Sequence, residues 1–130
     1  MAQVRIPFQV TGWEPEPAPQ DADGPVRIGR VTLRKTFTGP LEGTSVVAMT
    51  SAAVGEAPAG YVAVELVTGT LDGRTGSFVL QHSAVVEDGA DPAGVVVAGT
   101  GTGALAGLRG SMRITHDDGA PALLLDYEIP

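Results

Sequence analysis

A chain of 130 residues with net charge -7, 18 glycines, 10 prolines and no cysteine fits one domain (1–130) around a single hydrophobic core. The composition excludes disulfides, thiolate metal sites and cysteine nucleophiles. The excess of acidic over basic side chains repels polyphosphates, so nucleic acid is not expected as a partner. The opening "MAQVRIPFQV" lacks an apolar signal core, and no stretch approaches the ~18 apolar residues of a membrane span. No membrane association is expected, and a soluble cytoplasmic protein follows. One Lys against seven Arg, with heavy use of Ala, Gly, Val and Pro, hints at a bacterial coding bias.

Apolar runs are cut by Gly or Pro before they reach helical length, so strands are what remain. Eight are expected, near 3–12, 26–38, 43–53, 60–69, 74–86, 94–101, 108–116 and 121–129. "WEPEPAPQDADGP" at 13–25 is rich in Pro and acid and reads as a solvated loop. In the second strand Val31, Leu33, Lys35 and Phe37 share one face and Arg30, Thr32, Arg34 and Thr36 the other. One turn motif is spelled three times, as "TGPLEGTS" at 38–45, "TGTLDGRTGSF" at 68–78 and "TGALAGLRGS" at 102–111. Its glycines Gly39, Gly69 and Gly103 stand 30 and 34 residues apart, room for two strands and a loop. The copies therefore join strands 2–3, 4–5 and 6–7 at one end of a meander, tight there and looser at the other end. Eight antiparallel strands lose their exposed edges by closing strand 8 onto strand 1, which predicts an all-β, eight-stranded antiparallel up-and-down β-barrel. Such a barrel is either filled by side chains or holds one small ligand.

"GVVVAGTGTGALAG" at 94–107 imitates a dinucleotide fingerprint, but Gly107 and Gly110 break the helix that would have to follow, and too little chain remains for a βαβ unit. A barrel hairpin is the better reading, and no cofactor is expected.

The same segment, "GTGALAGLRGS" from Gly101 to Ser111, resembles the glycine signature of the allene oxide cyclase and dirigent barrels. With "FQVTGW", "KTFTGPLEGTS", "GYVAVELVTGTLDGRTGSFVLQH" and "DYEI", the chain looks like an uncharacterised bacterial domain family placed in that allene oxide cyclase-like superfamily. The resemblance spans nearly the whole chain and implies an eight-stranded antiparallel barrel, often a homo-oligomer. The best-known members bind reactive apolar intermediates and steer their cyclisation or coupling. None of their catalytic residues aligns onto this chain, so none is carried over.

Candidate chemistry centres on Glu65, set among apolar neighbours in "YVAVELVTG". Facing inward, it is a desolvated carboxylate able to act as general acid or base; facing outward, it is a solvated surface residue. Register decides. If Thr70 pairs with Gly73, Glu65 faces Phe78, Ala63 faces Leu80 and Tyr61 faces His82, giving one face with Tyr61, Glu65, Phe78 and His82. If a glycine bulge shifts the pairing by one, Val62, Val64 and Leu66 are core and Glu65 meets solvent. His82 shares the face of Phe78 and Leu80 in either case, as a core histidine or as a group titrating near neutrality. Lys35 pairs with Glu65, forms a Schiff base or snorkels to water. Trp13 lines a pocket mouth or plugs the barrel, and Tyr127 has the same two readings. His116, Asp117 and Asp118 read as a plain hairpin rather than a metal site, so no metal is expected. "GTSVV" at 43–47 lacks a nucleophile-elbow context.

The reading that follows is a barrel that binds a small apolar molecule, with cofactor-independent cyclase or isomerase chemistry open to it. Glu65 and His82 are the catalytic candidates, and Trp13, Lys35, Phe37, Tyr61, Phe78 and Tyr127 line the ligand site. The alternative is a non-catalytic barrel, plugged by Trp13, Phe37 and Phe78, that oligomerises through its outer face.

Overall fold

The computed structural model describes residues 2–16 and 24–130; residues 17–23 of the loop expected at 13–25 lie outside the described residues. Eight strands follow one another as β1 (Ala2–Glu16), β2 (Val26–Phe37), β3 (Leu41–Val54), β4 (Ala57–Leu71), β5 (Arg74–Val85), β6 (Ala93–Val96), β7 (Arg109–Thr115) and β8 (Ala122–Glu128). Each pairs antiparallel with the next, and β1 pairs with β8, so the sheet is ring-like and all-β. Three single 3-10 turns are the helical content of the described residues. No described helix is long and apolar enough to cross a membrane.

Ring closure depends on β1 serving two neighbours. Its first half, Ala2 to Pro7, pairs with β8, and Phe8 to Glu16 pairs with β2. The strand runs on through Trp13 and Pro15, past the expected boundary, because a bulge between Val10 and Gly12 bends it along β2. By contrast β6 stops at Val96, where the chain leaves the sheet and folds back over β5. There Thr102 takes the place of a neighbouring strand, with its amide donating to the Ser77 carbonyl at 2.9 Å.

The three repeated segments do join β2–β3, β4–β5 and β6–β7, yet their aligned glycines do different work. Gly39 has φ +82 in a turn. Gly69 instead lies inside β4, opposite Gly43 on β3 and Gly76 on β5, and a Cβ there would collide with the Glu42 carbonyl. That glycine row lets three backbones crowd together at one end of the ring. The β4–β5 turn itself is Asp72 (φ 48) and Gly73 (φ 83), both left-handed as a two-residue primed turn requires. At the other end, the connection expected to be a loose loop over 53–60 is a tight turn at Gly55-Glu56.

Inward side chains divide the interior into layers. The larger cluster includes Ile6, Phe8, Phe37, Leu41, Leu71, Phe78, Leu105 and Leu125 and fills the end closed by the repeated segments. A smaller cluster of Leu33, Val47 and Ala63, with Val31, Met49 and Tyr61 against it, lies toward the opposite rim.

Candidate functional site

Between the two apolar layers sits a buried polar group built on β2, β3, β4 and β5. The alternation of those strands turns Lys35, Ser45, Glu65 and His82 inward, and all four are buried. The register that does this differs from the one expected. The β4–β5 hairpin is flanked by Leu71 and Arg74, so Glu65 faces Leu80, Ala63 faces His82 and Val67 faces Phe78. The change amounts to two residues along the partner strand, which keeps Tyr61, Glu65, Phe78 and His82 on the inner face.

Glu65, 1% exposed, is the centre of the network. Oε1 accepts from Lys35 Nζ at 3.2 Å and from His82 Nε2 at 2.8 Å, while Oε2 accepts from Ser45 Oγ at 2.6 Å. Burial pulls the Glu65 carboxyl upward, but the hydrogen bond from His82, the charge of Lys35 and the Ser45 hydroxyl outweigh it, leaving the group below the usual carboxylate range. Glu65 is therefore an anion at neutral pH, its charge compensated inside the protein as burial demands. Lys35 also lies 4.4 Å from the centroid of the Phe8 ring, a cation–π contact that seats the ammonium on the aromatic layer below. The lysine neither snorkels nor reaches the rim.

His82 carries the network outward. Its Nε2 must hold a proton to meet the acceptor-only Glu65 carboxylate, so in the neutral ring Nδ1 is the lone-pair nitrogen. Nδ1 lies 2.8 Å from the Tyr61 hydroxyl, and the two rings meet edge to face at 5.6 Å. Ala63, the residue opposite His82, is small enough for the imidazole to lie across β4 and reach Glu65 on one side and Tyr61 on the other. The phenol is pushed up to about 12, first by burial and then by the Glu65 charge. Among the described residues no buried side-chain nitrogen or oxygen lacks a partner.

Tyr61 stands where this chain of hydrogen bonds meets open space. A cavity of about 450 Å³ at the rim is lined, among the described residues, by Trp13, Met49, Ser51, Tyr61, Ala84, Pro92 and other uncharged side chains. Trp13 is opposite Leu33 and 59% exposed, so it borders this mouth and does not plug the interior. Phe37 and Phe78, 2% and 0% exposed, are packed in the closed-end core below the network. Tyr127 also belongs to that core, with its hydroxyl donating to Asp72 of the β4–β5 turn; burial and the Asp72 contact raise it. Of the eight residues singled out in the sequence, the structure thus joins Lys35, Glu65, His82 and Tyr61 in one network. Trp13 lies at its mouth, Phe37 and Phe78 beneath it, and Tyr127 apart from it.

Sequence reasoning missed Ser45 as a member of the network, having weighed it only as a nucleophile. The signal was present: Ser45 alternates with the buried Leu41 and Val47 on β3, and it is directly opposite Lys35. Asp117 and its neighbours form a 3-10 turn, with the Asp118 side chain outside the described residues. Among the described residues no three His, Asp or Glu side chains gather as a metal site would require.

Fold and site together define an all-β protein whose ring-like sheet encloses a carboxylate–imidazole–phenol chain leading to an apolar mouth. The chain belongs to the DUF3224 family, described as proteins of unknown function, whose model matches residues 5–127. A crystal structure of a DUF3224-family protein of unknown function from Shewanella oneidensis MR-1 is similar at 39% identity and a TM-score of 0.89, over 100% of this chain and 98% of that one. Pyocyanin demethylase is a far looser structural match, with a TM-score of 0.38 and 8% identity over 98% of this chain and 100% of that one, too distant to bear on activity. A search of curated protein sequences finds no match.

Proposed function

We propose that the ring is a small-molecule-binding β-barrel of the allene oxide cyclase-like type, taking a largely apolar ligand in its mouth. The observation that carries this reading is the hydrogen-bonded line Glu65–His82–Tyr61, which runs from the sealed interior to an uncharged cavity. Ligand sites are mostly apolar with a few placed polar groups, and this mouth has that character. The line also has the order of a catalytic triad: a hydroxyl, an imidazole that accepts its proton, and a carboxylate that fixes the imidazole tautomer. It suits proton transfer to or from a bound ligand, as a cofactor-independent isomerase or cyclase requires. Tyr61 would touch the ligand, and Glu65 and His82 would act through it.

Native mass spectrometry of the purified protein, followed by release of bound small molecules, tests this reading. An apolar compound that is retained by the wild type and lost on Trp13→Ala supports it. If the wild type carries nothing and no apolar compound shifts its melting temperature, the reading fails.

A second reading is favoured by the outer face. Val46, Val62, Val64, Leu66 and Val95 are all exposed there, forming one patch across β3, β4, β5 and β6 through the pairs Val46–Leu66 and Gln81–Val95. A concavity of about 660 Å³ over Ala48, Val62, Val64, Gln81 and Val95 accompanies it. Solvent faces of antiparallel sheets are normally polar, and a contiguous apolar patch marks an interaction surface. In this reading the protein self-associates through that face, with or without a ligand inside.

A further inference from the structure

The hydrogen-bond directions in the network carry an inference about the chemical class of the ligand. Glu65 is a carboxylate held by three donors, Lys35, Ser45 and His82. An anionic carboxylate only accepts, so the imidazole proton sits on Nε2. The remaining nitrogen, Nδ1, is 2.8 Å from the Tyr61 oxygen and accepts the phenolic proton when the ring is neutral. The proton of Tyr61 is then directed into the protein, and its oxygen shows the mouth only lone pairs. A ligand carbonyl or ether meeting that oxygen would set lone pair against lone pair, while a ligand O–H would complete the chain.

The ligand's charge is constrained too. Among the described residues the lining has no cation, and the ammonium of Lys35 is buried, 6% exposed, against Glu65 within the network. An anionic ligand would gain no counter-ion in the mouth, an apolar setting where charge is costly.

We propose that the mouth selects neutral molecules with an apolar body and a weakly acidic hydroxyl, a phenol or an enol, which donates its hydrogen bond to Tyr61 Oη. This rests on the reading of the mouth as a ligand site. It also describes a balanced proton step: as the ligand O–H proton moves to Oη, the phenolic proton moves to His82 Nδ1. The imidazolium formed is paired with Glu65, and the ligand becomes an oxyanion beside Tyr61.

The test uses 2-naphthol, its methyl ether 2-methoxynaphthalene and 2-naphthoate, titrated calorimetrically into the wild type and Tyr61→Phe at pH 7. The naphthol is expected to bind about tenfold more tightly than the ether, the worth of one hydrogen bond, and the carboxylate more weakly than both. In Tyr61→Phe the naphthol should lose its preference over the ether, and ether binding no weaker than in the wild type reports that the cavity is intact. Equal binding of naphthol and ether by the wild type, or a naphthol preference that survives Tyr61→Phe, overturns the proposal while leaving an apolar ligand site in place. Binding of none of the three by the wild type overturns the proposal and counts against the ligand site itself.

Discussion

Exchanging Glu65 for Gln keeps its shape and removes its charge, leaving Lys35 buried without an anion. Breaking a buried pair from one side costs about 3 kcal/mol or more, so Glu65→Gln should lower the urea midpoint at pH 7 while remaining folded. The acid limb provides a second check. The folded carboxyl titrates below its unfolded value of ~4.3, so its stabilisation is complete above that pH and is lost as the pH falls through the lower folded value. The stabilities of wild type and Glu65→Gln should therefore begin to converge as the pH falls below about 4 and meet only below the lower folded value. Tyr61 behaves oppositely. Its hydroxyl is raised to about 12, so the neutral form is favoured by folding, and this contribution is complete below the unfolded value of ~10 and lost as the pH rises toward 12. Phenolate absorbance should stay low in the native protein at pH 10 and appear near pH 10 in denaturant. A native phenolate signal above half its maximum by pH 10, more than Tyr127 alone can supply, would contradict the Tyr61 environment described.

The glycine row at the closed end is a feature of paired strands rather than of any single turn. A methyl group at Gly69 would meet backbone on β3, whereas one at Gly24 would meet nothing within 4 Å. Gly69→Ala should cost at least about 2 kcal/mol in denaturant unfolding, because neither strand can retreat without breaking its ladder, while Gly24→Ala stays within about 0.5 kcal/mol. Equal effects would show that the row is not a packing constraint. Element boundaries were legible where the sequence carried turn chemistry, as at Asp72-Gly73. They were not legible at the ends of β1 and β6, where extension or departure depends on the neighbouring strand. Pro15 has the sequence character of a strand breaker, yet it pairs with Val31 once the bulge near Thr11 has bent β1 along β2. Glycine and β-branched residues announced β6 as far as Gly101, but the chain leaves the sheet after Val96 and lets Thr102 bond to β5.

At the scale of the whole molecule, ring closure gives each described strand two paired neighbours, so association is expected to use side chains on the outer face. If the uncharged patch on β3 to β6 is an interface, the wild type should sediment as an oligomer. Val64→Glu should then sediment as a folded monomer, since Val64 is 51% exposed in the single chain and its exchange leaves the interior untouched. A monomeric wild type at all accessible concentrations would dispose of that interface. The charge of -7 works against close approach of copies in general, which makes the charge-free patch the surface where approach costs least.

The amino-acid sequence determined by itself the all-β class of the protein and the residues worth watching, but it left open which face of β4 turns inward. Period-2 alternation, turn glycines and the absence of helical runs are local properties, and they sufficed for eight antiparallel strands in a ring. They also singled out Lys35, Glu65, His82 and Tyr61, because a polar residue on an apolar strand face is conspicuous without any partner in view. What only the tertiary structure decided was how those residues meet. Hydrogen bonds from Ser45, Lys35 and His82 to one carboxylate depend on the register of three strand pairs at once, and each register is set by the turns and bulges that close the ring. The same closure placed Trp13 at the mouth and Phe37 and Phe78 beneath the network, since depth along the axis depends on how far each strand is staggered against its neighbour.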